Sequence, residues 1–363
     1  MTTTTTAAVL RDPESPFSFE EVALADLGPT EILVDLVSVG FCHTDVVARG
    51  MAAYVLPAIL GHEGAGTVAA VGSDVDRVAV GDAVVLSFAS CGACDQCLSG
   101  TPSYCALFTP LNMSARNLDG TVSATDADGN EIANRWFGQS SFATRAIVDQ
   151  NSAVRVAPDV DLTKVGPLGC GIQTGAGTVL RAMDLQPGQS IVVFGAGAVG
   201  LAAVLGAKLA GAADIVAVDL HQSRLDLALE LGATRVVLGS DRRLVEKITD
   251  DGPGLDFALD TTGVSSVMEA AIDSVGPGGA VMLVAASEAG LSLHPTQLTG
   301  KTISYVLEGA ADPQEFIPYL VEKWQAGEFP FDRLIRTYPF DQIDKAEADS
   351  HSGDAIKPVL LFS

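Results

Sequence analysis

One short segment restricts the fold more than any other part of the chain. The apolar run at residues 191–194 leads directly into Gly195-Ala196-Gly197-Ala198-Val199-Gly200, which opens a stretch of small helix-forming residues at 198–210. A buried strand, a glycine-rich turn and a helix in this order are typical of the phosphate-binding turn of a doubly wound parallel sheet. The segment therefore predicts a dinucleotide site. Its expected contacts are Gly195, Gly197, Val199 and Gly200.

An acidic residue at the end of the next predicted strand indicates which dinucleotide is bound. Asp219 follows the strand predicted at 214–218 and lies 19 residues after Gly200. A carboxylate there bonds the ribose hydroxyls of NAD and repels the 2′-phosphate of NADP. Arg224 is close enough in sequence to contact the adenosine end, which leaves some use of NADP open. The alternative is an ordinary strand–turn–helix in which Asp219 caps the helix.

The surrounding pattern predicts a parallel sheet covered by helices, because strands and helices alternate from about Gly166 onward. The further strands are predicted at 257–259 and 280–284, and the further helices at 223–231 and 267–275. The first 165 residues are instead rich in strands, predicted at 31–39, 67–71, 83–88 and 142–148. A polar excursion is expected at 107–139 and a frayed terminus at 2–6. A helix at 313–324 and a closing strand at 355–361 are expected to return to the first domain.

Four of the six cysteines lie within one short segment. Cys91, Cys94, Cys97 and Cys105 have the spacing C-x2-C-x2-C-x7-C. Four thiolates at this spacing can close a tetrahedron around zinc and leave no position for a substrate. An iron–sulfur cluster is the main alternative, but no proline follows the fourth cysteine and no second cysteine set exists. A buried set of inert thiols is disfavoured because the segment is polar and rich in glycine.

The other two cysteines, Cys42 and Cys170, are far apart in sequence, and His62 lies between them. Two thiolates and one imidazole would leave one tetrahedral position of a zinc ion open for a ligand. Spacing alone does not show that the three residues meet. His62 as a capped loop histidine and Cys170 as a small core residue remain open alternatives.

The charge of the chain excludes one class of partner. Asp and Glu outnumber Lys and Arg 45 to 21, which gives a formal net charge of −24. The phosphates of a nucleic acid would be repelled by such a surface, so a nucleic-acid-binding zinc protein is not expected. No signal peptide or membrane-spanning run is recognisable, and we expect a cytoplasmic protein without a membrane partner.

A longer motif joins these features. The pattern Gly61-His62-Glu63-x2-Gly66-x5-Gly72-x2-Val75 resembles the signature of the zinc-containing medium-chain alcohol dehydrogenases. The four-cysteine segment, the single Cys170 and the glycine turn follow in that family's order. The resemblance implies an α/β chain with a GroES-like, β-rich catalytic domain at 1–168 and 305–363. It also implies a doubly wound Rossmann coenzyme domain at 169–304.

The resemblance also implies roles for single residues and two zinc ions per chain. Cys42, His62 and Cys170 match the ligands of the catalytic zinc, and Cys91, Cys94, Cys97 and Cys105 match those of the structural zinc. Glu63 matches an acid behind the catalytic zinc, Asp45 the carboxylate that orients the histidine ligand, and Thr44 the hydroxyl that takes the alcohol proton. His43 and Thr174 match positions near the coenzyme. Val47 departs from the family, because many members have a histidine there at the end of the proton path.

The implied reaction is reversible hydride transfer between a primary alcohol and NAD, giving the aldehyde. The stretch 314–340 and the ending Ile356-Lys357-Pro358-Val359-Leu360 resemble the aryl (benzyl) and allylic alcohol dehydrogenases. Phe88, Leu111, Trp136 and Phe137 are candidate walls of an apolar pocket. The alternatives are a glutathione-dependent formaldehyde dehydrogenase, a broad aliphatic alcohol dehydrogenase, or a non-catalytic crystallin-like or binding relative. A homodimer is expected, with a homotetramer as the alternative.

Overall fold

Two compact units make up the chain in the computed structural model, which describes residues 3–50, 56–285 and 290–362. The first unit spans Met1–Cys170, Asp312–Glu322 and Asp332–Ser363. The second spans Gly171–Ala311 and Lys323–Phe331. The predicted α/β class is confirmed. The predicted domain limits differ from the unit limits at residues 169–170, which cluster with the first unit, and at 305–311 and 323–331, which cluster with the second.

The first unit contains two antiparallel or mixed sheets. Its four-stranded sheet has the order β4-β1-β2-β7, with β1 Thr3–Leu10, β2 Ser18–Leu24, β4 Ala58–Ile59 and β7 Ala124–Thr125. Its seven-stranded sheet has the order β16-β17-β3-β5-β6-β9, with β8 also paired to β3. These strands are β3 Glu31–Gly40, β5 Gly64–Val71, β6 Ala83–Leu86, β8 Arg145–Asp149, β9 Ala153–Arg155, β16 Ile335–Pro339 and β17 Lys357–Leu361.

The predicted frayed terminus is wrong over the described residues of the threonine run. Thr3 to Thr6 form the first half of β1 and pair in register with residues 21–24 of β2. Threonine is β-branched and therefore favours a strand whenever a partner strand is available. The second half of β1 has four fully buried residues, Ala7 to Leu10, which anchor the strand in the core.

The second unit is built on a six-stranded parallel sheet of the order β12-β11-β10-β13-β14-β15. Its strands are β10 Ser190–Phe194, β11 Asp214–Asp219, β12 Arg235–Leu238, β13 Leu255–Asp260, β14 Val275–Leu283 and β15 Thr302–Tyr305. Residues 191–194 of β10 are buried on both faces, as expected for a central parallel strand covered by helices. The carboxyl ends of all six strands meet at one edge, where α/β sheets bind their ligands.

Ten α-helices are found among the described residues. Five begin in the first unit: α1 His43–Gly50, α2 Asp95–Leu98, α3 Phe108–Asn112, α9 Pro313–Gln325 and α10 Ile343–Ser352. The last three residues of α9 belong to the second unit. The other five helices lie in the second unit: α4 Gly171–Gly177, α5 Ala198–Ala210, α6 Gln222–Leu231, α7 Leu244–Thr249 and α8 Ser265–Asp273. Within the part of the chain that the structure describes, no helix combines the length and apolar character needed to cross a bilayer.

The polar excursion at 107–139 is held to the first unit by a buried arginine. Arg135 is 5% exposed and donates to the Glu31 carboxylate and to the carbonyl of Ile147. These bonds tie the excursion to β3 and β8. The excursion therefore has a fixed path although it contains little regular structure.

Candidate metal centres and coenzyme site

The four-cysteine segment folds into a compact lobe of the first unit. The sulfur of Cys97 lies 3.9 Å from that of Cys91 and 3.6 Å from that of Cys94. The sulfurs of Cys94 and Cys105 are 4.0 Å apart. Zinc bonded to four sulfurs at about 2.3 Å would hold them about 3.8 Å apart in a tetrahedron. The sulfur positions therefore fit a closed zinc site.

Backbone amides around the lobe favour thiolates, the form that binds metal. Hydrogen bonds from the backbone N–H groups of Ala106 and Cys97 lower the pKa of Cys94 to about 6. The amides of Ala93 and Cys94 lower the pKa of Cys91. Burial raises the pKa of Cys97 to about 12, so protons collect on that thiol in the absence of a cation. A bound cation would displace them.

Residues from three distant segments of the chain meet at a second cluster in the first unit. The potential ligand atoms of Cys42, His62, Glu63 and Cys170 all lie within 4.8 Å of one another. Cys42 precedes α1, and His62 and Glu63 precede β5, whereas Cys170 closes the turn before α4. His62 Nε2 is buried and has no hydrogen-bond partner among the described residues. A buried, orphaned imidazole nitrogen beside two thiols is the donor set that zinc accepts.

The other nitrogen of His62 is fixed by Asp45. His62 Nδ1 lies 2.8 Å from Asp45 Oδ1, and both side chains are fully buried. Asp45 also accepts hydrogen bonds from the Gly61 amide and from Trp136 Nε1 at 3.1 Å each, and from the Cys42 amide at 3.2 Å. A carboxylate with this many donors holds one position, so it orients the imidazole and directs Nε2 towards the sulfurs.

Charge within the cluster favours a thiolate at Cys42. The hydrogen bond from Cys170 lowers the pKa of Cys42 well below its usual range, although burial acts in the opposite direction. Burial lowers the pKa of His62, but the Asp45 carboxylate and the Cys42 sulfur outweigh it and raise that pKa. The Cys42 thiolate and the Asp45 carboxylate therefore place negative charge in a buried cluster, and a divalent cation would neutralise it.

Lys357 is a functional candidate that the sequence reasoning missed. Its Nζ donates to both oxygens of Glu63, at 2.9 and 3.0 Å, and to the carbonyl of Phe41. Burial raises the pKa of Glu63 and Lys357 lowers it, with a net upward shift. Burial lowers the pKa of Lys357, and the Glu63 charge more than reverses this. The available signal was a lysine at the start of the apolar strand β17.

Trp136 and Phe137 contact the histidine side of the cluster. Trp136 is fully buried and donates to Asp45, so its interpretation as a pocket wall is wrong for this conformation. The Phe137 ring stacks on the His62 ring at 4.4 Å between centroids. Both residues support the imidazole and its carboxylate. A second support, also missed, is Gln139, whose Nε2 donates to the carbonyl of His62.

Helix α1 carries the residues expected to handle the substrate proton. Thr44 Oγ1 lies 3.7 Å from Cys42 Sγ, so the hydroxyl is beside the cluster. His43 and Val47 are exposed on the same helix. An aliphatic side chain at Val47 can neither accept nor release a proton.

The glycine turn of the second unit has the shape of a phosphate cradle. Gly195 has φ +91°, a left-handed conformation that favours glycine. A Cβ on Gly200 would lie 1.7 Å from the carbonyl oxygen of Gly195. Helix and turn can pack closely because glycine has no Cβ. A Cβ on Gly197 would meet nothing within 4 Å, so the space above the first turn of α5 is open to a ligand. Val199 is half-buried in that first turn.

Asp219 is fixed at the carboxyl end of β11. Its carboxylate accepts from the amide of Ala196 at 2.7 Å and from that of His221 at 2.8 Å. Arg224 lies 3.8 Å away. The residue before α6 is His221, so the alternative of Asp219 as helix cap is not what the structure shows. Asp219, Arg224 and Gly195 line a cleft of about 400 Å³. Thr174 is on α4 and largely buried.

Two family models match the chain. The alcohol dehydrogenase GroES-like domain matches residues 28–158, and the zinc-binding dehydrogenase model matches residues 198–322. The first match covers the metal-cluster residues Cys42 and His62 and the four-cysteine lobe. The second covers most of the parallel sheet.

Several relatives match the whole chain. Geraniol dehydrogenase of Castellaniella defragrans is 44% identical over 98% of this chain and 97% of its own length. S-(hydroxymethyl)glutathione dehydrogenase of Saccharomyces cerevisiae is 33% identical over 98% and 95%. The structure of benzyl alcohol dehydrogenase from Acinetobacter calcoaceticus matches with a TM-score of 0.95 and 40% identity, covering 99% of this chain and 100% of the other. The chain thus belongs to the zinc-containing medium-chain alcohol dehydrogenase family.

Proposed function

We propose that this chain catalyses the reversible, NAD-linked oxidation of a primary aromatic or allylic alcohol to the aldehyde. The observation that carries the proposal is the cluster of Cys42, His62 and Cys170 around an orphaned imidazole nitrogen, with the Thr44 hydroxyl beside it. In this proposal the three residues hold a catalytic zinc and the four-cysteine lobe holds a structural one. An intact donor set and an intact hydroxyl argue against a non-catalytic relative.

Each residue of the cluster has a distinct task in the proposed reaction. A zinc ion bound there would act as a Lewis acid and polarise an alcohol or carbonyl oxygen. Thr44 Oγ1 lies next to the cluster, so it would accept a hydrogen bond from the alcohol hydroxyl and take its proton while passing its own hydroxyl proton on to water. Asp45 fixes the tautomer of His62 so that Nε2 stays a donor towards the metal. Glu63, whose carboxylate is held by Lys357 within the same cluster, would add negative charge beside a bound zinc ion.

The coenzyme is assigned to the second unit. A nicotinamide coenzyme supplies the hydride acceptor. Gly195, Gly197, Val199 and Gly200 cradle its pyrophosphate, and Asp219 bonds the adenosine ribose. Asp219 already accepts two amide hydrogen bonds and is 9% exposed, so it presents a fixed negative charge. That charge favours NAD, whereas Arg224 would tolerate a 2′-phosphate. His43 and Thr174 are assigned to the coenzyme on family grounds.

The substrate class follows the relatives at the higher identities. The geraniol and benzyl alcohol enzymes are 44% and 40% identical to this chain, against 33% for S-(hydroxymethyl)glutathione dehydrogenase. The last enzyme nevertheless matches 98% of the chain and makes a glutathione adduct the second candidate substrate. Phe88, Leu111 and Phe137 remain candidate contacts for an apolar substrate.

A substrate panel tests the proposal. Zinc-replete protein is assayed with benzyl alcohol, geraniol, ethanol and S-(hydroxymethyl)glutathione, each with NAD and with NADP. We expect the highest kcat/KM for benzyl alcohol or geraniol with NAD. A preference for the glutathione adduct would replace the first candidate by the second. An inactive protein that retains zinc and binds NAD would contradict the enzymatic proposal as a whole.

Three further expectations belong to this proposal. The chain is expected to form a homodimer, with a homotetramer as the alternative, and to work in the cytoplasm on small molecules. Sedimentation equilibrium of the zinc-replete protein distinguishes the two assemblies. The domain limits expected from the sequence, 1–168 with 305–363 and 169–304, are tested by limited proteolysis.

A further inference from the structure

A buried acid occupies an unusual backbone position at the end of the parallel sheet. Glu308 follows β15, the last strand of the sheet, and is 8% exposed. Three consecutive residues have left-handed backbone angles, with φ +49° at Glu308, +70° at Gly309 and +53° at Ala310. For a residue other than glycine this conformation is unfavourable, because Cβ comes too close to the following carbonyl oxygen. The chain therefore keeps a carboxylate where glycine would fit the backbone better.

The strained turn is held against helix α4 by close backbone contact. A Cβ on Gly177 would lie 2.8 Å from the carbonyl oxygen of Gly309, and a Cβ on Gly309 would lie 2.5 Å from that of Gln173. The turn and the helix thus touch backbone to backbone. This contact directs Glu308 to the side chains of Gln173 and Thr174, whose Nε2 and Oγ1 atoms lie 3.3 and 3.4 Å from Oε2.

The place of Glu308 in the sheet indicates what its charge can act on. The glycine turn follows β10 and Asp219 ends β11, whereas Glu308 follows β15, on the other side of β10. At about 4.8 Å between strands, β15 lies about 19 Å from β11 along the carboxyl edge. A dinucleotide binds across that edge, with one half on each side of the glycine turn. If Asp219 bonds the adenosine half, the nicotinamide half lies on the side of Glu308.

We propose that the Glu308 carboxylate faces the nicotinamide half of the bound dinucleotide and favours the oxidised, positively charged coenzyme over the reduced one. This inference rests on the proposed coenzyme function of the second unit. Glu308 is a specificity-determining residue in this proposal, since an anion stabilises the pyridinium charge of NAD+ and gains nothing from the neutral ring of NADH. Its negative charge already acts on Tyr305, whose pKa is raised by burial and by Glu308.

Calorimetric titration of the zinc-replete protein with NAD+, NADH and ADP-ribose tests the proposal. The variant Glu308→Gln keeps the shape of the side chain and removes its charge. We expect its affinity for NAD+ to fall about tenfold, the order of magnitude that one charge pair within a binding site contributes at an effective dielectric constant of about 20. Affinities for NADH and ADP-ribose should change less than about twofold, because neither carries the pyridinium charge.

Two more variants distinguish an effect of the Glu308 charge on affinity from an effect on folding. Glu308→Gly removes the carboxylate and its hydrogen bonds from Gln173 and Thr174, and it also relieves the left-handed strain. These two effects on stability oppose each other, so the variant should lose the same preference for NAD+ while its melting temperature stays close to that of the wild type. Asp273→Asn removes an exposed charge at the end of α8, beside the amino end of β14, and should leave all three affinities unchanged.

The other outcomes overturn the inference. Equal losses of affinity for NAD+ and NADH would mean that Glu308 does not discriminate between the charged and the neutral ring. A loss of affinity that includes ADP-ribose would mean that the turn has only a structural role. An unchanged affinity of Glu308→Gly for NAD+ would mean that the carboxylate does not contribute to coenzyme binding. Failure of the wild-type protein to bind any of the three ligands would instead contradict the proposed function, which keeps the two failures distinguishable.

Discussion

Lys357 and Glu63 form an ion pair with side chains that are 4% and 0% exposed. Removing one partner from a buried pair leaves an uncompensated charge and costs about 3–5 kcal/mol. We therefore expect Lys357→Met to lower the free energy of unfolding by about that amount in urea denaturation. The double variant Lys357→Met/Glu63→Gln should recover part of the loss, because it removes both charges. A single variant as stable as the wild type would show that Glu63 is neutral in the folded protein.

Val47 gives a prediction about proton release. It is 36% exposed on α1, three residues after Thr44, and cannot carry a proton. A histidine there titrates near pH 6.5 and could accept protons from the site. We expect Val47→His to shift the pH profile of kcat for alcohol oxidation and to leave the zinc content unchanged.

The matched control for this change is Val47→Asn, which is polar but does not titrate. It should reproduce the wild-type pH profile. If Val47→His also keeps that profile, proton release does not limit oxidation and the exposed end of α1 has no part in the proton path.

At the scale of secondary structure elements, the sequence was most informative where local pattern and tertiary context agree. Helix α5 was predicted with its observed limits because small residues, the glycine turn and the following Gly211 define both its ends. Strand β1 was missed because its threonines are stabilised by pairing with β2, a partner that no local pattern identifies. Strand β15 has only half-buried or exposed residues and therefore lacks the apolar run that marks a buried strand.

The same contrast holds for the candidate site. The four-cysteine lobe is encoded within 15 residues, so spacing alone predicted it. The cluster of Cys42, His62 and Cys170 depends on chain folding between distant positions, and only family resemblance joined them. Lys357 and Glu308 were missed because burial of a single charged residue is decided by packing, which has no periodic signature.

Strands β11 and β12 are joined by a pair that responds to pH. Burial raises the pKa of Asp214, but hydrogen bonds from Arg235 and Thr234 outweigh it and lower the pKa below its ordinary value. A lowered pKa in the folded state means that the pair stabilises the fold above about pH 4 and loses its contribution as pH falls further. Asp214→Asn should therefore cost about 0.5–1 kcal/mol at pH 7 and less near pH 3, where the pair has begun to lose its contribution.

Urea unfolding of both proteins at the two pH values measures this difference. Asp273→Asn serves as the control, because the Asp273 side chain is exposed at the end of α8. A difference between Asp214→Asn and the wild type that is as large at pH 3 as at pH 7 would mean that packing, and not the carboxylate charge, connects the two strands.

At the scale of the whole molecule, the two metal centres should be separable. We expect about two zinc ions per chain by mass spectrometry of metals in the purified protein. Cys170→Ser should retain about one zinc, keep the four-cysteine lobe and lose activity. Cys97→Ser should lose the lobe zinc and become less stable, since a structural zinc contributes to folding. A single zinc in the wild type, or loss of both in Cys170→Ser, would contradict two independent centres.

The net charge of −24 makes the stability of the whole molecule dependent on salt. Like charges repel more strongly in the compact state, and salt screens them over a Debye length that falls from about 30 Å at 0.01 M to about 3 Å at 1 M. We expect the melting temperature to rise by only about 1–2 °C for each 1 kcal/mol of stability that screening adds, because the entropy of unfolding grows with chain length. Differential scanning calorimetry between low and moderate NaCl measures it.

A charge-reduced variant decides whether screening is the cause. Asp128, Asp159 and Asp273 are exposed, and their replacement by asparagine removes three negative charges. This variant should melt higher than the wild type at low salt and gain less from added NaCl. Sucrose in place of salt should raise both proteins equally, because it does not screen charge. A wild-type melting temperature that falls with salt would mean that surface ion pairs such as Arg11–Glu20 outweigh the net repulsion.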